Sequence, residues 1–439
     1  MSPDAASPPL SLRIKVLTAT GILALLGYLG WVQLIRDEPE MIPAGFVLPA
    51  PFAEVPEAEN GLTFLINEME KRDWPELTPE QAEIIGWRMP WDAGLMQPLL
   101  DAAPAIRKIT EQALEIPHWQ GVMISDEATV FKRFIVPLNI VQAKAQALSQ
   151  AGDGAGALEW WALIGRAAQR YQESSRTLAA LMLGTGSRVV LDRALMQLLA
   201  QSGNSGTVLA QGMALLDSPP LLKENLMRAW AEEVREEKAA CPDLRKHSTW
   251  PPAKLIGFFK TAEPPGWLAN SRYKPQASFN LNARHFDMLS RLGFKEGREA
   301  RAEVKAERER VHAESELSLW SFEPNRAGRV IAGSNFKTLF HIEKNAMTKE
   351  AARRCCRAAI AAKLWSLGHG GKRPTALTDL VPGYLEEVPL DPENNLPLRW
   401  DAVSGLVYSL GPDGLDNLPV IPSGEFFISG DEGAAAYLP

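Results

Sequence analysis

The hydrophobic positions of the chain fall into three successive patterns. Residues 16–35, VLTATGILALLGYLGWVQLI, are twenty in a row without a charge. At 1.5 Å rise per residue a helix of that length spans about 30 Å, the hydrocarbon thickness of a bilayer, so the stretch predicts a transmembrane helix. From residue 61 the apolar positions recur three and four apart, the signature of helices buried along one stripe. Leu62, Leu65, Ile66 and Met69 mark the first, closed by Trp74-Pro75, and later ones cover 95–113, 130–151 and 155–171. Residues 347–367 are again helical. They carry Ala352, Cys356, Ala359, Ile360, Leu364 and Leu367 on one stripe and Arg353, Arg354 and Arg357 on another. Beyond them the period drops to two. Residues 398–400 and 406–410 alternate as a strand pair around a turn at 401–405, and 424–428 is a candidate third strand. The fold class expected is mainly α: an N-terminal transmembrane helix, an α-helical domain, and a small α+β C-terminal domain with a short antiparallel sheet.

Flanking charges orient the apolar run. Arg13 and Lys15 precede it and Arg36 alone follows closely, and basic residues are retained on the cytoplasmic side. A cleaved signal peptide has a shorter apolar core, about 7–15 residues, and an A-x-A site that is missing here. The expectation is a single-pass protein of the cytoplasmic membrane, N-terminus inside, with a lipid bilayer as partner of residues 16–35 and most of the chain extracytoplasmic. Punctuation then divides the chain into a cytoplasmic N-terminus (1–15), the span (16–35), a Pro-rich linker (36–60), an α-helical domain (61–241), a Pro- and aromatic-rich loop (242–280), a charged helix and connector (281–346) and the α+β domain (347–439). Composition fits a folded chain: 46% hydrophobic, 23% charged, with 33 Gly and 33 Pro among 439 residues. The net charge of −7 argues against a nucleic-acid partner. Three cysteines exclude a disulfide-dense scaffold and a four-thiolate zinc site.

Motifs for catalysis are largely missing: there is no HExxH, CxxC or G-x-S-x-G. The run Gly368-His369-Gly370-Gly371-Lys372 departs from a phosphate loop, with Ser366 in place of the first Gly and Arg373 in place of the Ser/Thr. The histidines at 118, 247, 285, 312, 341 and 369 fall at no metal-ligand spacing. Cys355 and Cys356 adjoin on a helix, and pairing of either with Cys241 in an oxidising compartment stays open. Trp250, Phe258, Phe259, Trp267 and Tyr273 are interleaved with prolines in 242–280, the composition of a peptide- or glycan-binding surface or of a belt on the helical domain.

Three stretches resemble known proteins. ALSQAGDGAGALEWWALIGRAA (147–168) resembles a tetratricopeptide-like helical hairpin, although no 34-residue period recurs. The order helix, then G…RP-x-x-L-x-x-LVP-x-YL-x-x-VP-x-DP, then YSLGPDG, over 347–431, resembles the globular region of the type II secretion system major pseudopilin. FEPNRAGRVIAG (322–333) upstream is similar to a layout in large uncharacterised membrane-anchored bacterial proteins. The apolar run lacks the pseudopilin Gly-Phe processing site and the Glu that follows it, so the resemblance implies a fold and not pilus assembly. It also implies a calcium loop formed by Leu410 (carbonyl), Asp413 and Asp416, with Asn417 a further local candidate; calcium takes 6–8 oxygen ligands. The alternative for that loop is an Asx-type turn. The function expected is an extracytoplasmic structural or protein-interaction component of the bacterial envelope, linked to secretion or surface assembly, with protein partners there. A peptide- or glycan-binding module is the alternative and a hydrolase the third reading.

Overall fold

The computed structural model describes residues 20–28, 41, 49–121, 127–201, 205–216, 222–244, 274–315, 325–411, 416, 427–430 and 433–438. They divide into two compact units. One comprises Met1–Val47, Val234–Leu289 and Arg308–Lys337, the other Leu48–Glu233, Ser290–Glu307 and Thr338–Pro439.

The larger unit opens with a run of helices whose starts are written in the sequence. Helix α1 (Gly61–Glu70) is capped by Asn60, whose side chain accepts from Leu62 N, and it buries Leu62, Leu65, Ile66 and Met69. A Cβ on Gly61 would fall 2.2 Å from Trp119 Nε1 and 2.5 Å from the Ala113 carbonyl, so only glycine fits there. Helix α2 (Pro79–Ile85) has a complete capping box, Thr78 with Gln81, and a proline in its first turn. Helices α3 (Ala93–Glu115), α4 (Glu127–Gln150), α5 (Gly154–Glu173), α6 (Leu178–Gln201) and α7 (Gly206–Leu215) follow. From α3 to α7 consecutive helices pack on one another, and α3 also touches α5. A three-residue turn joins α4 to α5: Gly152 takes φ +82° there, and Asp153 caps α5 by accepting from Gly156 N at 2.9 Å. Residues 49–60 run alongside, held by Phe52 N to Glu232 Oε1 (3.1 Å) and Val55 N to Gln120 Oε1 (3.1 Å).

The chain continues through α8 (Leu222–Leu244), α9 (Pro275–Leu292), α10 (Arg298–Ser315) and the 43-residue α11 (Arg326–Gly368). The stretch of α11 in the larger unit buries Ala352, Cys355, Cys356, Ala359 and Ile360 in the hydrophobic cluster that also holds Leu99, Phe134, Trp161 and Leu195. Four short strands close the chain: β1 (Arg399–Asp401), β2 (Leu406–Tyr408), β3 (Phe427–Gly430) and β4 (Gly433–Ala436), antiparallel in the order β1-β2-β4-β3. Trp400 pairs with Val407, and Val407 with Ala436. One sheet face gives Val407, Ala434 and Ala436 to the main cluster, while Leu406, Tyr408 and Ala435 form a second, small one.

In the smaller unit Asn325 ties the start of α9 to the start of α11. Its Oδ1 accepts from Lys274 N at 2.9 Å and its Nδ2 donates to Ser278 Oγ at 3.1 Å. The His285 ring lies on Phe336, centroids 4.5 Å apart.

The transmembrane expectation is overturned. No helix among the described residues is long and apolar enough to cross a membrane. Of residues 16–35, the nine at 20–28 are described, and they are helical. Residues 16–19 and 29–35 lie outside the described residues. The transmembrane component of the fold class, the bilayer as partner of residues 16–35, and the single-pass, N-inside inner-membrane location are corrected accordingly. Hydropathy along a sequence measures how apolar a stretch is, not the length of the helix it forms.

Candidate functional site

Of the expected calcium ligands the structure places two. The backbone N of Leu410 donates to Asp391 Oδ2 at 3.0 Å, beside Ser409 Oγ, which donates to the same oxygen at 2.9 Å. Asp391 thereby joins the VP-x-DP and YSLG stretches through a buried carboxylate that also accepts from Glu393 N at 3.0 Å. Asp416 accepts from the Tyr408 hydroxyl at 2.8 Å and lies 3.8 Å from Arg399 Nε. Burial, then that bond to a carboxylate, push the Tyr408 hydroxyl up to about 12. Asp413 and Asn417 lie outside the described residues, as do 245–273 of the aromatic loop. Among the described residues no group of three or more His, Cys, Asp or Glu is arranged to hold a metal ion.

Cys355 and Cys356 are free thiols, so neither is bridged to Cys241. Both are fully buried, and burial first, then the negative charges of Asp391 and Asp192 respectively, push them well above the ordinary thiol range. That is the opposite of the electropositive, accessible setting of a nucleophilic cysteine.

A second charged cluster gathers where α11 passes α6. Asp192 of α6 is buried, its Oδ1 3.5 Å from Arg188 Nε and without a hydrogen bond. Burial raises its carboxyl to about 6 against the pull of Arg188, Arg353 and Lys349. Burial lowers Lys349 to about 8, with Asp192 opposing. Burial works to raise Glu350, but hydrogen bonds from Arg353 and Arg354 outweigh it and hold that carboxyl below its ordinary range. Arg354 Nε donates to Glu350 at 2.7 Å, and its Nη1 reaches the Leu390 carbonyl at 2.7 Å. The predicted basic stripe of Arg353, Arg354 and Arg357 therefore lines a cleft of about 330 Å³, with Glu296, Glu350 and Glu386 among its carboxylates. Nearby, Glu343 is wholly buried and paired with Arg301, which also lies 3.2 Å from Glu393 Oε2. In these clusters the charges largely answer one another.

The groove between α3 and α5 differs. It encloses about 670 Å³, with Glu111, Leu114 and Glu115 on the α3 wall. The α5 wall supplies Arg166, Gln169, Arg170 and Glu173. One end is fixed by Arg107, which pairs with Glu111 at 2.7 Å and lies 5.3 Å above the Trp160 ring. Gln169 Nε2 donates to Glu173 at 2.8 Å. Arg166 and Arg170 are exposed, and among the described residues their guanidiniums take part in no hydrogen bond or ion pair. Sequence reasoning missed this groove. Its signal was available: Arg166 and Arg170, like Glu111 and Glu115, are like charges four apart on a helix, an arrangement that repels and needs a reason.

No family model matches the chain, and no curated protein and no solved structure matches it.

Proposed function

We propose that the chain is a protein-interaction component, a helical scaffold that holds a partner segment in the groove between α3 and α5. The observation that carries this reading is the open groove of about 670 Å³ flanked by two guanidiniums, Arg166 and Arg170, that have no partner among the described residues. Elsewhere in the same unit Arg301, Arg353 and Arg354 are satisfied by carboxylates or carbonyls. Concave surfaces between stacked helices are where helical scaffolds engage partners. The resemblance of residues 347–431 to a subunit that works within an assembly points the same way.

The test is photo-crosslinking in the source cells, with a photoreactive amino acid at position 169. A discrete adduct with a partner protein is expected, lost when Arg166→Glu and Arg170→Glu are combined. A chain that gives no adduct, or one indifferent to the two arginines, removes the proposal.

A further inference from the structure

We infer that the groove between α3 and α5 binds an acidic polypeptide segment whose two carboxylates, one helical turn apart, pair with Arg166 and Arg170. This rests on the interaction role proposed above and specifies the partner's chemistry. The two arginines are four residues apart on α5, so their stems leave the helix about 6 Å apart. Carboxylates at i and i+4 of a helix, or i and i+2 of a strand, match that spacing within about 1 Å. A guanidinium offers a planar fork of donors that takes a carboxylate at two points.

The carboxylates of the groove, Glu111 and Glu115 on α3 and Glu173 on α5, decide against other polyanions. Glu111 is already neutralised by Arg107, and Glu173 receives the Gln169 amide. Among the described residues the Glu115 side chain makes no hydrogen bond or ion pair, and it lines the groove as an open carboxylate. A nucleic-acid backbone would bring continuous phosphate charge against these three glutamates, in a chain whose net charge is −7. A polypeptide segment presents discrete carboxylates toward α5 and leaves its other side neutral or basic toward Glu115. Leu114, the apolar residue of the lining, suits an aliphatic side chain between the two carboxylates.

The experiment uses the full chain and fluorescein-labelled probes read by anisotropy. The probes are a helical peptide with two glutamates four apart and a leucine between them, its glutamine and lysine counterparts, and a single-stranded oligonucleotide. The glutamate peptide is expected to bind with an affinity that falls as salt rises. Each arginine supplies a charge-assisted contact, so Arg166→Gln and Arg170→Gln should each weaken binding about tenfold. Lys305→Glu, a charge change outside the groove, should leave binding unaltered. Circular dichroism checks that the variants stay helical, as expected for exposed positions. Equal binding of the glutamine peptide, preference for the oligonucleotide, or indifference to both arginines overturns the inference. A crosslink from position 169 to a partner segment without paired carboxylates would overturn it too while leaving the interaction role standing; no crosslink would remove the role itself.

Discussion

Asp192 places a carboxyl in the apolar body of α6, where the interior favours its neutral form. An acid whose folded-state value is raised, here from 3.8 to about 6, is bound to its proton more firmly folded than unfolded. Its contribution is then most favourable below about pH 4 and is lost as pH rises to about 6, worth about 3 kcal/mol across that window. Asp192→Asn has no such titration. The stability difference between variant and wild type, followed by urea melts, should therefore move by about 3 kcal/mol in the variant's favour from pH 4 to pH 7. A constant difference would mean that Asp192 is ionised throughout. Lys349 carries the opposite sign: lowered to about 8, it loses its proton more easily when folded, so stability gains from it as pH rises from about 8 to 10.5. The sequence shows Asp192 four residues after Arg188 in LGTGSRVVLDRALMQLLA, but its other cations, Arg353 and Lys349, come from α11, some 160 positions away, a separation that local pattern does not encode.

Element by element, the helices were legible where local chemistry sets them. Asn60, Thr78, Asp92 and Asp153 each cap the helix they precede, and the stripe of Leu62, Leu65, Ile66 and Met69 is buried as its spacing predicts. Strand β4 was not, because Gly-Ala-Ala-Ala neither alternates nor favours a strand, and pairing with β2 and β3 decides it. Helix α6 shows the same limit inside one motif. Gly184 and Gly186 look alike in sequence, yet a Cβ on Gly184 would meet Gln172 Cα at 3.1 Å and Tyr171 Cδ1 at 3.2 Å, whereas one on Gly186 meets nothing within 4 Å. Gly184→Val should thus force α5 and α6 apart and cost about 1–3 kcal/mol. Gly186→Ala should stabilise by about 0.5–1 kcal/mol, since alanine holds a helix better than glycine. Thermal melts of the two variants should move in opposite directions. A loss in both would show that Gly186 also sits against a neighbour.

At the scale of the whole molecule the decisive fact is that one hydrophobic cluster runs through pieces far apart in sequence. Leu99, Phe134 and Trp161 share it with Ile360 of α11 and with Val407 and Ala436 of the sheet. Reading along the chain separates 61–241 from 347–439, because periodicity reports which face of a segment is apolar and not which segment covers it. Membership in one cluster predicts one cooperative transition for both stretches. Ile360 is fully buried, and Ile360→Ala should cost about 2–5 kcal/mol through lost transfer energy and the cavity left behind. Native-state hydrogen exchange locates that loss. If the cluster unfolds as one, the slowest amides of α4 and α5 should lose the same free energy of protection as those of β2, although the substitution lies some 200 positions beyond them. Two independent folding blocks would confine the change to α11 and the strands and leave α4 and α5 at their wild-type protection. That result would also detach the groove of Arg166 and Arg170 from the C-terminal part of the unit, so that binding there should survive Ile360→Ala under conditions that unfold the sheet. With a single core, binding and sheet are expected to be lost together.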